Sequence, residues 1–201
     1  MTAIIDRFTK KSIDIMELIR LEKTESTNDY LKNRVRCGML EPAAVIAKEQ
    51  TGGRGLGEHT FFSPPGGLYL SYLMIPETSP EETAGITHCA GAIVRRVLAA
   101  FYPGAEIKLK PVNDLYLNGH KICGILTELS RGALVIGIGI NVNTRTFPED
   151  LPASSLFLET GTEADIDCLA RALLTELEIL SSSWPRCKNT YEEEYRKNLL
   201  E

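Results

Sequence analysis

The sequence has no apolar run approaching the roughly 18 residues of a membrane-spanning helix. Its opening, MTAIIDRFTKKSIDIMELIR, breaks each short apolar stretch with charge and shows no cleavage-site pattern, which argues against a secretory leader. A cytoplasmic protein with no membrane partner is expected. There is no excess of positive charge either. Twenty-two Lys and Arg against 27 Asp and Glu leave a net charge of −5, which excludes a nonspecific nucleic-acid coat but not a local basic phosphate site. Cysteine is sparse and odd in number: Cys37, Cys89, Cys123, Cys168 and Cys187 include no C-x-x-C pair. That excludes a disulfide framework and a zinc site, and leaves reduced thiols acting as small apolar groups. The three histidines, His59, His88 and His120, lack metal-ligand spacing. No Walker A loop, G-x-G-x-x-G or G-x-S-x-G elbow is present.

What remains is an ordinary globular composition, 201 residues with 43% hydrophobic and 24% charged, enough for one domain with a sizeable core. Residues 1 to 20 read as a lead-in with one strand. Ser26 or Thr27 caps a helix that Gly38 stops. AAVIAKEQ (Ala43 to Gln50) reads as a buried strand, and GLYLSYLMI (Gly67 to Ile75) as a second. Ser79 is expected to cap the longest helix, Pro80 to Phe101, with proline at its first position and Glu81 and Glu82 in its first turn. A strand over Glu106 to Lys110 precedes the hairpin DLYL-NG-HKICGILTEL, whose Asn118-Gly119 pair suits a type I′ turn. A tight turn at Arg131-Gly132 leads into the apolar strand Ala133 to Val142, and helices follow over Ala164 to Ser182 and Pro185 to Leu200. The order implies an α+β fold: a mostly antiparallel mixed sheet flanked by helices.

Four stretches can carry chemistry; one is Lys121, just after the hairpin turn with Gly124 three residues on, which is either a site cation or an ordinary solvent-exposed edge lysine. In Thr51-Gly52-Gly53-Arg54-Gly55-Leu56-Gly57, four of seven residues are glycine around one cation. Such a loop is either an anion nest with a planar, permanently charged donor or a flexible hairpin connection. In Lys108-Leu109-Lys110-Pro111-Val112-Asn113-Asp114 two lysines share one strand face, and the Asn-Asp pair is either a turn device or, through Asp114, a holder of Mg²⁺ or of a lysine. The alternating glycines of Gly137-Ile138-Gly139-Ile140-Asn141 imply that a ligand, a ring or a helix lies against that face.

Taken in order, E-S-T-N (25–28), Q-T-G-G-R-G (50–55), F-S-P-P-G-G-L-Y-L-S (62–71), K-x-x-N-D-L-Y-L-x-x-x-K-x-x-G-I-L-T-E (110–128) and G-I-G-I-N (137–141) resemble the catalytic domain of biotin–protein ligases from about Glu17 to Glu201. The resemblance implies a two-step enzyme. Biotin and ATP give biotinyl-5′-AMP, with Mg²⁺ bound mainly through ATP, and a lysine of a biotin carrier domain, as on acetyl-CoA carboxylase, then takes the biotinyl group. Carried over by position, Lys121 and Arg54 would be catalytic. Ser26, Thr27, Asn28, Gln50, Gly53, Gly55 and Gly124 would form the biotin pocket. Lys110, Asn113, Asp114, Asn141 and Leu56 would meet ATP or the adenylate. The chain would be a single catalytic domain spanning 1–201, without an N-terminal DNA-binding or C-terminal SH3-like domain, and an exposed sheet edge could pair two copies.

Besides those missing domains, the sequence departs from the family pattern at the site. The loop G-R-G-R-x-G-R has Leu56, Glu58 and His59 where its second arginine, third glycine and last arginine stand, and the tryptophan of K-W-P/V-N-D is replaced. Loss of one guanidinium contact, worth roughly 1.5–3 kcal/mol, implies a weaker hold on the adenylate. Two alternatives follow: a paralogue binding biotin or its adenylate as a sensor, and a lipoate or octanoate enzyme of the same superfamily.

Overall fold

The computed structural model describes residues 17–39, 41–76 and 83–200. In chain order the elements are β1 (Glu17–Thr24), α1 (Thr27–Arg36), β2 (Ala43–Gln50), β3 (Leu68–Met74), α2 (Ile86–Phe101), β4 (Lys108–Lys110), β5 (Asp114–Leu117), β6 (His120–Ser130), β7 (Ala133–Ile140), α3 (Leu156–Thr160), α4 (Ile166–Ser183) and α5 (Lys188–Lys197). The strands form one sheet in the order β1-β2-β3-β7-β6-β5-β4. Only β1 and β2 run parallel among these neighbours, and α1 supplies the crossover that a parallel pair requires.

Period-two alternation sorts the side chains between two cores. Leu68, Leu70, Tyr72 and Met74 of β3 join Ile136, Ile138 and Ile140 of β7 under α2, α4 and α5. On the opposite face Leu73, Val45 and Val135 pack against Leu31 and Val35 of α1. Covered on both sides, β3 is buried at every position, which is why its sequence reads as nearly continuous apolar residues. Beyond α1, the glycine loop faces the part of this side formed by β5, β6 and β7.

The expected sheet, its mixed pairing and its flanking helices are present. Positive φ at Asn118 and Gly119 (52° and 86°) and at Arg131 and Gly132 (48° and 82°) gives both hairpin turns. Several details differ: β4 begins at Lys108 rather than Glu106, and α5 spans Lys188–Lys197 rather than Pro185 to Leu200. Strand β1 runs on to Thr24, because Leu21, Lys23 and Thr24 pair with Ala47, Glu49 and Gln50 of β2. Helix α2 starts at Ile86 after Gly85 with φ 92°, so the described part does not begin at Pro80; Ser79, Pro80, Glu81 and Glu82 lie outside the described residues. The short α3, N-capped by Ser155, was not anticipated. Among the described residues no helix is long and apolar enough to cross a membrane.

Candidate active site

A cavity of about 260 Å³ opens between the glycine loop, the start of α1 and the sheet face formed by β5, β6 and β7. Its cation is placed by an irregularity in a hairpin. Asp114 lies opposite Gly124 and Leu115 opposite Cys123, but Tyr116 lies opposite Lys121, so Ile122 is an extra residue on β6. Residues three apart on a regular strand face opposite sides. The bulge brings Lys121 onto the face of Gly124 while Ile122 and Cys123 are both buried. The Lys121 Nζ then sits 2.7 Å from Asp114 Oδ1. That oxygen is buried and makes no hydrogen bond, so the contact is an ion pair. The Lys121 backbone is clamped on its other side by Ser154, whose N–H donates to its carbonyl at 3.0 Å. Behind it, burial pushes the Cys123 thiol far up, so Cys123 offers no nucleophile.

The floor explains the alternating glycines. A Cβ on Gly137 would stand 2.3 Å from Asn28 Oδ1, and one on Gly139 2.6 Å from the Phe61 ring. Phe61 also lies over Gly124, at 3.2 Å from the position a Cβ would take. This ring, which meets Tyr69 edge-on at 6.4 Å, borders the space at Gly124, and Gly124 still lines the cavity.

At the polar end, Ser26 N-caps α1 by accepting from Asp29 N–H at 3.3 Å. Gln50 Oε1 accepts from both the N–H (2.8 Å) and the hydroxyl (3.0 Å) of Thr27, and its Nε2 donates to Ser63 Oγ at 3.0 Å. One N–H of Gln50 remains for a ligand. Both N–H groups of the Asn28 amide are engaged: its Nδ2 donates to Leu126 O (3.1 Å) and Glu128 Oε2 (2.9 Å), while its Oδ1 accepts from the buried Ser71 hydroxyl at 2.6 Å. Its amide thus ties α1 to β3 and β6, and one acceptor site of its oxygen remains.

The glycine loop folds back on itself as a small hairpin with a bridge between Arg54 and Thr60. Gly53 is a close crossing, since a Cβ there would meet Phe61 O at 2.3 Å and Ser63 Oγ at 2.5 Å. It does not line the cavity. The Gly55 N–H is engaged by His59 O at 2.7 Å, so the expected anion donation from that amide does not hold in this conformation. Arg54 Nη2 bonds Asp29 Oδ1 at 3.0 Å and Glu128 Oε2 at 2.5 Å. Burial disfavours its charge, but Glu128 and Asp29 outweigh that and raise its pKa further. Leu56, 56% exposed, lines the cavity beside it.

Of the residues singled out from sequence, Ser26, Thr27, Asn28, Gln50, Arg54, Gly55, Leu56, Asn113, Asp114, Lys121 and Gly124 line one cavity. Asn113 is fixed by donation of its Nδ2 to Ile125 O at 2.8 Å. Lys110 is exposed outside the cavity, with Nζ 4.9 Å from the Tyr116 ring centroid. Asn141 is also outside it, buried behind β7 with its Nδ2 on Ser154 O at 2.9 Å. Sequence reasoning missed Phe61, for which the alternating glycines were the signal, and Glu128, which closed a quoted motif without a role.

The profile of the Biotin/lipoate A/B protein ligase family matches residues 21–144, and the chain belongs to this family. It is 36% identical over 163 residues to the bifunctional ligase/repressor BirA of Escherichia coli, covering 76% of this chain and 50% of that protein. It is 32% identical over 184 residues to the biotin–[acetyl-CoA-carboxylase] ligase of Mycobacterium tuberculosis, covering 89% and 69%. The chain thus spans about half the length of its BirA relative. The biotin protein ligase of Aquifex aeolicus, solved with biotin and ATP, superposes with a TM-score of 0.76 at 31% identity, covering 92% of this chain and 78% of that one. That of Leishmania major, solved with biotinyl-5-AMP, gives 0.78 at 26% identity, covering 92% and 81%.

Proposed function

We propose that the chain is the catalytic domain of a cytoplasmic biotin–protein ligase. It would form biotinyl-5′-AMP and pyrophosphate from biotin and ATP, then pass the biotinyl group to a lysine of a biotin carrier domain on acetyl-CoA carboxylase or another biotin-dependent enzyme. The observation that carries the reading is the meeting, in one cavity, of a neutral hydrogen-bonding end (Ser26, Thr27, Gln50) with two cations, Lys121 and Arg54. A cyclic urea needs the first, and a carboxylate approaching a triphosphate needs the second.

In the first step a biotin carboxylate oxygen attacks the α-phosphorus and pyrophosphate leaves. Both reactants are anionic, so fixed positive charge in a partly dry site lowers the barrier by stabilising the charge on the transferring oxygens. Lys121 would take this role, a reading supported by its position in the cavity beside Asp114. Arg54 still has the N–H groups of Nε and Nη1 to donate, because its two acceptors both sit on Nη2. In the second step the carrier amine attacks the acyl carbon, and the bond to AMP breaks with its electron pair on the leaving oxygen.

Among the described residues no group of three carboxylate, histidine or cysteine side chains gathers to cage a metal. The cavity has one carboxylate, Asp114, with a buried oxygen lacking an aligned hydrogen bond. That donor set fits Mg²⁺ arriving with the triphosphate, since this ion keeps several waters and takes one or two carboxylates beside phosphates. Its contribution would be to neutralise phosphate charge, with Asp114 as its protein contact. Strand β1, unpartnered on its outer side among the described residues, is where two copies would pair. A second reading, binding of biotin or its adenylate with slow turnover, is favoured by Leu56 standing where the family pattern has arginine.

The test is pyrophosphate release by the purified chain with ATP and Mg²⁺, offered biotin, lipoate or octanoate. Release with biotin alone supports the proposal. Tight biotin binding without release moves the assignment to the second reading, and release with lipoate or octanoate alone refutes both.

A further inference from the structure

Glu128 does not line the cavity, yet it sits at the meeting point of three segments that do. It follows Gly124 and Leu126 at alternate positions of β6, and so shares their face. Its carboxylate accepts from Asn28 Nδ2 at 2.9 Å and Lys32 Nζ at 2.7 Å on α1, and from Arg54 Nη2 at 2.5 Å in the glycine loop. Burial alone would raise its pKa, but the bonds from Lys32, Arg54 and Asn28 and the Arg54 charge hold it below the ordinary carboxylate range. It is ionised at neutral pH.

The cluster balances two cations, Lys32 and Arg54, against two anions, Asp29 and Glu128. Lys32 also contacts Asp29 at 2.9 Å. Among the described residues, the glycine loop's ion pairs with the rest of the protein are those of Arg54 with Asp29 and Glu128. A four-glycine loop has large conformational freedom to lose on ordering, so one charge-assisted tether has a large effect on how the loop sits. Both acceptors lie on Nη2, which fixes the guanidinium at one corner and leaves Nε and Nη1 for an anion in the cavity.

We propose that Glu128 is a positioning residue: its carboxylate anchors Arg54 and thereby holds the glycine loop over the cavity with the rest of the guanidinium presented to the ligand. The ligand's identity rests on the ligase reading; the anchoring does not. Substituting glutamine keeps the shape but leaves Asp29 as the one anion shared by Lys32 and Arg54, so the loop's charge-assisted tether to the sheet is reduced to a neutral hydrogen bond.

Two measurements test this on the purified chain. Trypsin must take the Arg54 side chain to cut the Arg54–Gly55 bond, so the appearance of that cleavage product by mass spectrometry reports release of the guanidinium without any ligase chemistry. In Glu128→Gln the cut is expected to be about tenfold faster, the order of one charge-assisted hydrogen bond, and dissociation of bound biotinyl-AMP should accelerate similarly. Glu128→Asp, which keeps the charge but withdraws it by one methylene, is expected to fall between, and it serves alone if the glutamine variant does not fold. On an Arg54→Ala background Glu128→Gln should add nothing to adenylate dissociation. Unchanged cleavage in both Glu128 variants overturns the proposal, as does an equal acceleration of dissociation on the Arg54→Ala background. A parent chain that binds no adenylate sinks the ligase reading, while the cleavage result still decides the role of Glu128.

Discussion

Replacing Lys121 with alanine separates a chemical role from a structural one. The Lys121 backbone is held by β5 on one side and Ser154 on the other, so the strand should persist. What disappears is an ammonium 2.7 Å from Asp114 in a pair whose side chains are 30% and 20% exposed. A pair this open contributes about 1 kcal/mol or less. Leaving Asp114 Oδ1 buried without it adds part of the roughly 1–3 kcal/mol desolvation cost of an unpaired polar group. A net loss of about 1–2 kcal/mol should lower Tm by about 2–8 °C in a domain of this size. Removal of one preorganised donor from a reacting oxyanion typically costs about 10²–10³ in rate, or about 2.7–4 kcal/mol. Biotin-dependent pyrophosphate release, measured at 25 °C with the folded fraction checked by circular dichroism, should therefore fall by about 10²–10³ in a protein that is still folded. A rate within about threefold of the parent, less than 1 kcal/mol of barrier, would refute the reasoning. So would a loss that merely tracks the unfolded fraction.

Two further outcomes follow from the same geometry. In Gly53→Ala the new methyl would meet the Phe61 carbonyl at 2.3 Å and Ser63 Oγ at 2.5 Å; overpacking against backbone should cost roughly 1–3 kcal/mol, read as a lower denaturation midpoint, and an unchanged midpoint would contradict the close crossing. Glu128 has a folded pKa depressed below its ordinary value of 4.5, so its stabilisation is complete above that value and is lost as pH falls through the lower folded value. Thermal denaturation between about pH 7 and pH 3 should show a steeper acid limb in the parent than in Glu128→Gln, and superimposable limbs would exclude the linkage.

Local patterns determined much of this protein by themselves. The nearly continuous apolar runs of β2, β3 and β7 placed the central sheet, because strands covered on both faces must be apolar almost throughout. Asn118-Gly119 set the β5–β6 turn through positive φ. The family motifs collected most of the residues that line the cavity. Their order along the chain, however, was silent on which side chains share a face. Lys121 and Gly124 are three apart and should have opposed one another; the extra residue Ile122 reverses this, and a bulge is a property of the pairing between two strands rather than of either alone. The alternating glycines announced that something lay on β7, but only packing revealed it to be Asn28 and Phe61. Lys110 and Asn141 matched motif positions, yet tertiary contacts drew one to Tyr116 and the other to Ser154. Sequence thus determined which residues are present and which segments form strands. Only the tertiary structure decided which polar groups are already engaged with one another and which remain free for a ligand, because hydrogen-bond capacity is divided among neighbours that lie far apart along the chain.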